Sequence, residues 1–585
     1  MLGRAYDSRL MKRLLRYARP YMRLLGLGVV LVMLITGAEL VRPYLVKVAI
    51  DEHITKYDAS GLKSLALMLL LVGSGGFVLH YLQAVLLQYV GQQIVLSIRR
   101  EVFTHLQGMD LAYFDRNPVG RLVTRVTNDT ETLNEMYTSV LVNVVRDVFM
   151  LLGIVFVMFR LSPTLALVSM AVLPLIFVAT AIFRTRARSA YRRVRTALAR
   201  INATMAENIA GMTVVQIFRQ EKRKFAEFDQ VNRDYHRAGI GEMMVYAVFR
   251  PVTELIGSLA LALLLWYGGI KVMAGSPQFG VLYAFVNYMG QFFQPINDLT
   301  EKYNILQAAM ASSERIFQLL DTTPVVTDPP YPAPVGRLRG QIEFRNVWFA
   351  YNGDDWVLQD VSFKINPGEV VAFVGATGAG KTSIISLINR FYDVQRGQIL
   401  VDGRDVREIR AADLRSNIAT VLQDVFLFTG SIKANIRLNN EGISDERIHE
   451  VATYVNADRF ISRLPGGYDE PVTERGSTLS AGQRQLLAFA RALAFDPAIL
   501  VLDEATANID TQTELLIQDA LPKLIAGRTT IVVAHRLSTI QHADKIILLH
   551  RGKVREIGTH QELLARRGMY YNLYRLQYEG RSTPG

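Results

Sequence analysis

Residues 375–383 read GATGAGKTS, and this stretch decides how the C-terminal half of the chain is read. It completes a Gly375-x-x-x-x-Gly380-Lys381-Thr382 pattern between the apolar run Val370–Val374 and a helix-like stretch. Strand, glycine loop and helix start in that order make a phosphate cradle. Glycines let backbone N–H groups converge on phosphate oxygens, and the helix start adds a field favourable to anions. Thr377, Gly378, Gly380 and Ser383 belong to the cradle, Lys381 supplies a point charge, and the Thr382 hydroxyl suits Mg²⁺. A chance glycine turn would not be followed by LSAGQ at 479–483 and ILVLDEAT at 499–506.

The first half has a different character. The chain has 585 residues, enough for several domains, and 50% of them are hydrophobic although the net charge is +12. Apolar residues crowd before about residue 310, in runs anchored by Leu24–Ile35, Leu65–Val90, Val140–Phe159, Leu165–Phe183, Val252–Ile270 and Val281–Phe293. Several approach the roughly 20 residues that cross a bilayer. The sixth is the weakest, broken by Asn287, Gln291 and Gln294. Any one run could be a buried core helix, but six in one half of a chain point to a membrane.

Arginines crowd Arg184–Arg200 and Gln216–Arg237, whereas Asp51–Lys63 has no basic excess. Placing the arginine-rich stretches in the cytoplasm puts both termini inside. The same positive charge could serve nucleic acid, but its clustering beside the spans favours orientation over that reading. Ser8–Pro20 is basic and amphipathic, with Leu10, Leu14, Leu15 and Tyr17 among Lys12, Arg13, Arg16 and Arg19, and suits an interfacial helix rather than a signal peptide. Cysteine is absent, so disulfides and thiolate chemistry are excluded.

The boundaries read as an interfacial helix over residues 1–20, a six-span domain over 21–320, a linker over 321–340 and a nucleotide-binding domain over 341–585. The linker carries Pro324, Pro329, Pro330, Pro332 and Pro334, which forbid a continuous helix. Polar excursions over Gly91–Thr138 and Thr185–Tyr246 are long on one side of the membrane only, and Ser162-Pro163 makes a tight turn on the other. Breaks at Phe114–Gly120 and at Ala210-Gly211 mark either short helices that touch the nucleotide domain or ordinary surface loop. Beyond the linker, Val370–Val374, Ile418–Leu422, Ile499–Leu502, Ile531–Ala534 and Ile546–Leu549 alternate with helical stretches. That alternation indicates an α/β domain with a largely parallel sheet.

Taken together, Tyr351, the 375–383 loop, Gln423, Thr473-Glu474-Arg475-Gly476, Leu479–Gln483, Asp503-Glu504, Asp510 and His535 stand in the order found in ATP-binding cassette (ABC) exporters. The chain resembles a half-transporter of that family over nearly its whole length. The resemblance implies an α-helical six-span membrane domain with an α/β P-loop nucleotide-binding domain, hydrolysing ATP with Mg²⁺. It implies that Tyr351 stacks on adenine, though as an aromatic it could equally be core. It implies Mg²⁺ ligation by Thr382, Gln423 and Asp503, with Glu504 orienting the attacking water and Gln423 and His535 near the γ-phosphate. Ser480, Gly482 and Gln483 would close over ATP held by a partner, so hydrolysis would need two nucleotide domains.

Three departures from the family pattern, Ala481, Thr473 and Asn508, leave the catalytic groups in place and lean towards a non-identical partner, with a homodimer as the alternative. The implied activity is export or flipping of amphipathic small molecules, drugs or lipids across a bacterial inner membrane by alternating access. An ATP-gated channel or regulatory protein is the alternative. A soluble ABC ATPase acting on nucleic acid is disfavoured by the six apolar runs. Glu39 and Arg42 in the first span, His80 in the second and Glu254 in the fifth are ionisable positions within the membrane domain, and Arg250–Glu254 is expected to pair at i,i+4.

Overall fold

The computed structural model describes residues 7–274, 278–503, 511–533 and 540–578. Two compact units emerge. One holds the residues up to Gln107 with Gly120–Thr322, and the other holds Gly108–Val119 with the residues from Thr323 onward.

The first unit is helical throughout. Asp7 caps the opening helix, accepting from the Arg9 N–H at 2.8 Å, and supplies the acceptor that the free first-turn donors need. The helices are α1 (Ser8–Ala18), α2 (Met22–Val48), α3 (Ala59–Gln107), α5 (Val119–Thr124), α6 (Thr130–Glu135), α7 (Asn143–Leu161), α8 (Pro163–Met170), α9 (Leu173–Ala210), α10 (Met212–Ile217), α11 (Glu221–Met273) and α12 (Phe279–Leu320). Ser162 turns α7 into α8 as the expected tight connection, in extended backbone with Pro163 as the first helical residue. α9 packs along α11, where Phe183 stacks on Phe249 at 3.8 Å between ring centroids.

Among the described residues, five helical stretches are long and apolar enough to cross a membrane: Ser8–Ile54, Ala59–Gln107, Val119–Leu161, Pro163–Ala210 and Glu221–Met273. α12, the sixth expected span, has 42 residues but is not among them. Asn287, Gln291 and Gln294 dilute its apolar start, the weakness already visible in the sequence. Among the described residues, three short π-helical segments, Ala49–Ile54, Arg125–Asp129 and Met136–Val140, interrupt the α-helices of this unit.

Several ionisable residues of the spans are paired, although no such partner is seen for Arg42 among the described residues. Glu39 accepts from Arg146 through both carboxylate oxygens at 3.2 Å and lies 3.4 Å from the His80 ring. Lys302 is ion-paired with the buried Asp147, and Gln83 donates to Asn143 at 3.3 Å. The expected Arg250–Glu254 pair forms at 3.3 Å. In hydrocarbon an unpaired charge is costly, so such pairing is what stable spans require.

The second unit is α/β. A six-stranded sheet has the order β12-β11-β3-β10-β9-β6, with β3 (Val370–Val374), β6 (Ile418–Val421), β9 (Ile499–Asp503), β10 (Thr529–Val533), β11 (Lys545–His550) and β12 (Lys553–Gly558). Only β12 runs antiparallel to its neighbour. β10 is buried at every position, as a strand covered on both faces must be, and each such aliphatic contributes roughly 1.5–3 kcal/mol.

A second, antiparallel sheet of order β2-β1-β4-β5 combines β1 (Ile342–Ala350), β2 (Trp356–Ile365), β4 (Arg396–Val401) and β5 (Arg404–Asp405). It was not legible as an apolar run because β1 alternates: Ile342, Phe344 and Val347 point inward while Arg345 and Asn346 point out. A two-stranded ribbon of β7 (Gly430–Ser431) and β8 (Pro471–Val472) completes the unit. Between Leu320 and β1 there is neither helix nor strand, in keeping with the five prolines of that stretch.

Candidate nucleotide site and its relatives

Parallel pairing brings the 375–380 loop, Gln423 and Asp503 to one edge of the sheet. Val421 is registered against Leu502, Val533 against Asp503 and Val533 also against Phe373. The carboxyl ends of β3, β6, β9 and β10 therefore adjoin, the edge at which open α/β sheets bind ligands. From β3 the chain enters the loop 375–380, from β9 it delivers Asp503, and two residues past β6 it exposes Gln423.

The loop has the backbone that a cradle needs. Gly378 and Gly380 adopt φ of +80° and +102°, a region disfavoured for residues with a Cβ. A Cβ on Gly375 would lie 2.3 Å from the Leu549 carbonyl oxygen, so only glycine fits there. α13 (Lys381–Ile388) starts directly at the loop, aiming its free N–H groups into it.

The Lys381 ammonium donates to the Gly375 and Ala376 carbonyls at 2.6 and 3.2 Å. Burial pushes its pKa down, and the nearby Asp503 carboxylate opposes that shift. Thr377, Gly378 and Thr382 are exposed at the mouth, while Ser383 is buried. The Ser383 hydroxyl is 3.0 Å from that of Tyr351, whose ring meets Phe349 and Tyr392 edge-on at 4.8 and 5.0 Å. Tyr351 thus sits at the cradle yet packs as part of the core wall.

The residues present suit a magnesium nucleotide. A glycine cradle with free amides and one lysine matches a polyphosphate, and an accessible Thr382 hydroxyl with Asp503 offers oxygen donors of the kind Mg²⁺ prefers. Glu504 and His535, as well as Asn508 and Asp510, lie outside the described residues.

The 479–483 motif caps a helix. Ser480 is the N-cap of the helix Ala481–Ala494, its Oγ accepting from the Gln483 N–H at 3.2 Å while Gln483 Oε1 accepts from the Ser480 N–H at 2.9 Å. This reciprocal pair fixes the loop's approach to the helix. Ser480 and Ala481 are exposed and Gly482 is buried. The Ala481 methyl therefore does not crowd its own chain.

Several supporting residues gave no sequence signal. Arg484 donates to the Leu479 and Gly476 carbonyls at 2.6 and 3.4 Å and ties the signature loop to the turn before it. Arg390, 2% exposed, donates to the carbonyls of Ile409 and Thr327 at 2.8 and 2.9 Å and to Asp393 at 3.1 Å. An arginine just past a phosphate-loop helix has no motif to announce it.

α4 (Leu111–Arg116), the break in the first excursion, belongs to this unit. Asp110 caps it, accepting from the Tyr113 N–H at 3.0 Å, and also accepts from the Val326 N–H at 3.2 Å. Arg116 donates to the Tyr351 carbonyl at 3.0 Å, and the Tyr392 hydroxyl donates to Asp115. Burial, and secondly that contact, push the Tyr392 phenol pKa up. Of the two readings open for this break, the short helix on the nucleotide unit is the one observed. In the second excursion, α10 leaves Val214, Ile217 and Phe218 exposed.

Comparison with known proteins agrees with this architecture. Residues 25–296 match the family model "ABC transporter transmembrane region", and residues 358–507 match the family model "ABC transporter". The chain is 41% identical over 574 residues to the uncharacterized ABC transporter ATP-binding protein YknV of Bacillus subtilis (strain 168), covering 97% of this chain and 94% of that one. It is 37% identical over 570 residues to an ATP-dependent lipid A-core flippase of Syntrophus aciditrophicus (strain SB), covering 97% and 94%. A solved structure of a bacterial Atm1-family ABC exporter with ATP bound superposes with a TM-score of 0.77 at 29% identity, over 95% of this chain and 98% of that one. With membrane and ATPase models matched in one chain and relatives aligned nearly end to end, the protein belongs to the ABC exporters, as a half-transporter that joins a membrane-spanning domain to an ATP-hydrolysing cassette.

Proposed function

We propose that two such chains, or this chain and a related one, export amphipathic molecules, drugs or lipids across the inner membrane with both termini in the cytoplasm. The observation that carries the reading is the convergence of the 375–383 cradle, Asp503 and Gln423 at one sheet edge of a chain that also has membrane-spanning helices. The similarity to a lipid A-core flippase supports a lipid-like cargo.

In this reading the loop amides and Lys381 hold the phosphates of ATP, and Tyr351 flanks the base. Mg²⁺ held by Thr382, Gln423 and Asp503 would neutralise developing charge at the transferred phosphoryl group. Glu504 orients the attacking water, and His535 and Gln423 approach the γ-phosphate. Ser480, Gly482 and Gln483 of one chain face nucleotide held by the other. The exposed Val214, Ile217 and Phe218 at the tip of α10 support a partner surface on the second chain. ATP favours the closed pair because it contacts both chains only there, and that differential affinity drives the switch between inward and outward access. Ala481, Thr473 and Asn508 support a non-identical partner.

The test is ATP hydrolysis by the purified chain in lipid nanodiscs beside its Glu504→Gln variant. Turnover lost in the variant with ATP binding retained is the expected result, and undiminished turnover would overturn the assignment. Negligible turnover by folded wild-type protein, restored by co-expressing a second half-transporter, identifies a heterodimer. Stimulation of turnover by a transported compound separates an exporter from an ATP-gated channel.

A further inference from the structure

α1 presents two unlike faces. Leu14 and Ala18 are fully buried, and the Leu14 carbonyl accepts from the Tyr137 hydroxyl at 2.7 Å. Tyr17 donates to Glu101 on α3 at 2.8 Å. Arg13 makes a two-pronged bond to Asp321, with distances of 2.6 and 3.0 Å, and its guanidinium lies 4.0 Å from the Phe317 ring centroid. That geometry holds the Asp321 carboxyl below its usual range. Phe317 is in the last turn of α12 and Asp321 follows its final residue, so α1 grips the foot of the helix that runs into the linker.

The opposite face carries Arg9, Lys12 and Arg16, spaced at i, i+3 and i+7 on one stripe, with Arg19 just beyond. All four are exposed, beside the exposed Leu15, and Met22 opens the first membrane-spanning helix. A cationic stripe beside apolar residues, fastened to the start of a span, must lie at the depth of lipid headgroups. Arg13, on the same helix, faces protein instead and marks the boundary between the two faces.

We propose that α1 is a binding site for anionic phospholipid headgroups, with Arg9, Lys12, Arg16 and Arg19 as ligands, and that Arg13 passes its occupancy to the foot of α12. Headgroup phosphates supply the acceptors that these guanidinium forks and this ammonium do not find among the described residues. Because Arg13 and Asp321 join the site to α12, lipid that fixes α1 also fixes the junction through which the membrane unit continues into the linker. Turnover then depends on the charge of the leaflet, independently of which compound is carried.

The experiment reconstitutes the full chain in nanodiscs of phosphatidylcholine alone or mixed with phosphatidylglycerol, at low and high salt. Two quantities are read: phosphatidylglycerol retained after detergent extraction, by lipid mass spectrometry, and ATP turnover. Wild-type protein is expected to retain phosphatidylglycerol and to change turnover by roughly fivefold or more, an ordinary size for coupling between two sites. Salt should shrink both effects. The Arg9→Gln/Lys12→Gln/Arg16→Gln variant should lose both the retained lipid and the response while keeping its turnover in phosphatidylcholine. Arg13→Gln should keep the lipid and lose the response.

Equal phosphatidylglycerol retention by wild type and triple variant, as expected if the stripe meets an acidic protein instead, overturns the site. An unchanged response in Arg13→Gln overturns the coupling. If the triple variant does not fold, Arg9→Gln and Lys12→Gln singly must each lower retention, and no change in either overturns the site. Loss of turnover in Glu504→Gln with lipid retention intact keeps this result separate from the transport reading.

Discussion

Arg390 shows how much a single buried side chain can hold. Its guanidinium satisfies carbonyls from two separate segments, at Thr327 and Ile409, plus Asp393. Arg390→Met would leave those carbonyls without a donor, at about 1–3 kcal/mol for each buried group left unpaired. We expect a lowered denaturant midpoint for the nucleotide unit with ATP affinity little changed, as read by unfolding and nucleotide titration. Lys302 poses the same question inside the membrane unit. Removing it strands the buried Asp147, so Lys302→Met should cost about 3–5 kcal/mol, and the double variant with Asp147→Leu should recover most of it in thermal unfolding.

Legibility at the residue scale followed chemistry. Lys381, Thr382 and Asp503 stand in motifs whose residue types and spacing suit phosphate and a metal ion. Arg390 and Arg484 carry none, because any donor of suitable reach could have met those carbonyls. Ser480 lies between the two cases: the sequence offers it as a signature residue, while its role as a helix cap, with Gln483, emerged only from the structure.

Among the elements, the five parallel strands were visible as apolar runs because both their faces are buried. β1 and β2 were not, because one of their faces meets solvent and the alternation is broken by irregular register at Val347 and Phe349. α12 reads as weak in the sequence, and it is absent from the helices apolar enough to cross a membrane, because Asn287, Gln291 and Gln294 interrupt its apolar start. α4 is a further case: six residues between glycine and proline gave no periodicity, and its grip on Tyr351 and Tyr392 rests on side chains distant in sequence. We expect Arg116→Ala with Asp115→Asn to lower ATP turnover several-fold while leaving nucleotide affinity within a factor of about 3, since these groups touch the site's wall and not the cradle.

For the whole molecule, the proposed closure of one chain's 479–483 motif over nucleotide held by its partner makes a quantitative prediction. When wild-type chains are mixed with Glu504→Gln chains before reconstitution, a homodimer should lose turnover more steeply than the variant fraction rises, because each mixed pair contains one dead site coupled to a live one. A strictly proportional loss would indicate sites that work independently. The sequence alone could not decide the partner, since a dimer surface is written in two chains and only one is present.

The segment Gly108–Val119 belongs to the nucleotide unit although about 200 residues of the other unit separate it from Thr323. On a ribosome it is therefore made long before the surface it packs on. At about 5–20 residues per second it waits roughly 10–40 s for Thr323 to be added, and longer for Tyr392. During that interval Met109 and Ala112, both buried in the folded protein, have no cassette to cover them, and the segment waits unfinished. A chain truncated after Thr322 would keep it unfinished for good, and a cassette produced from Thr323 alone would lack its own first helix. Supplying a peptide of residues 108–119 to that isolated cassette should raise its melting temperature, which makes the order of biosynthesis readable in a test tube.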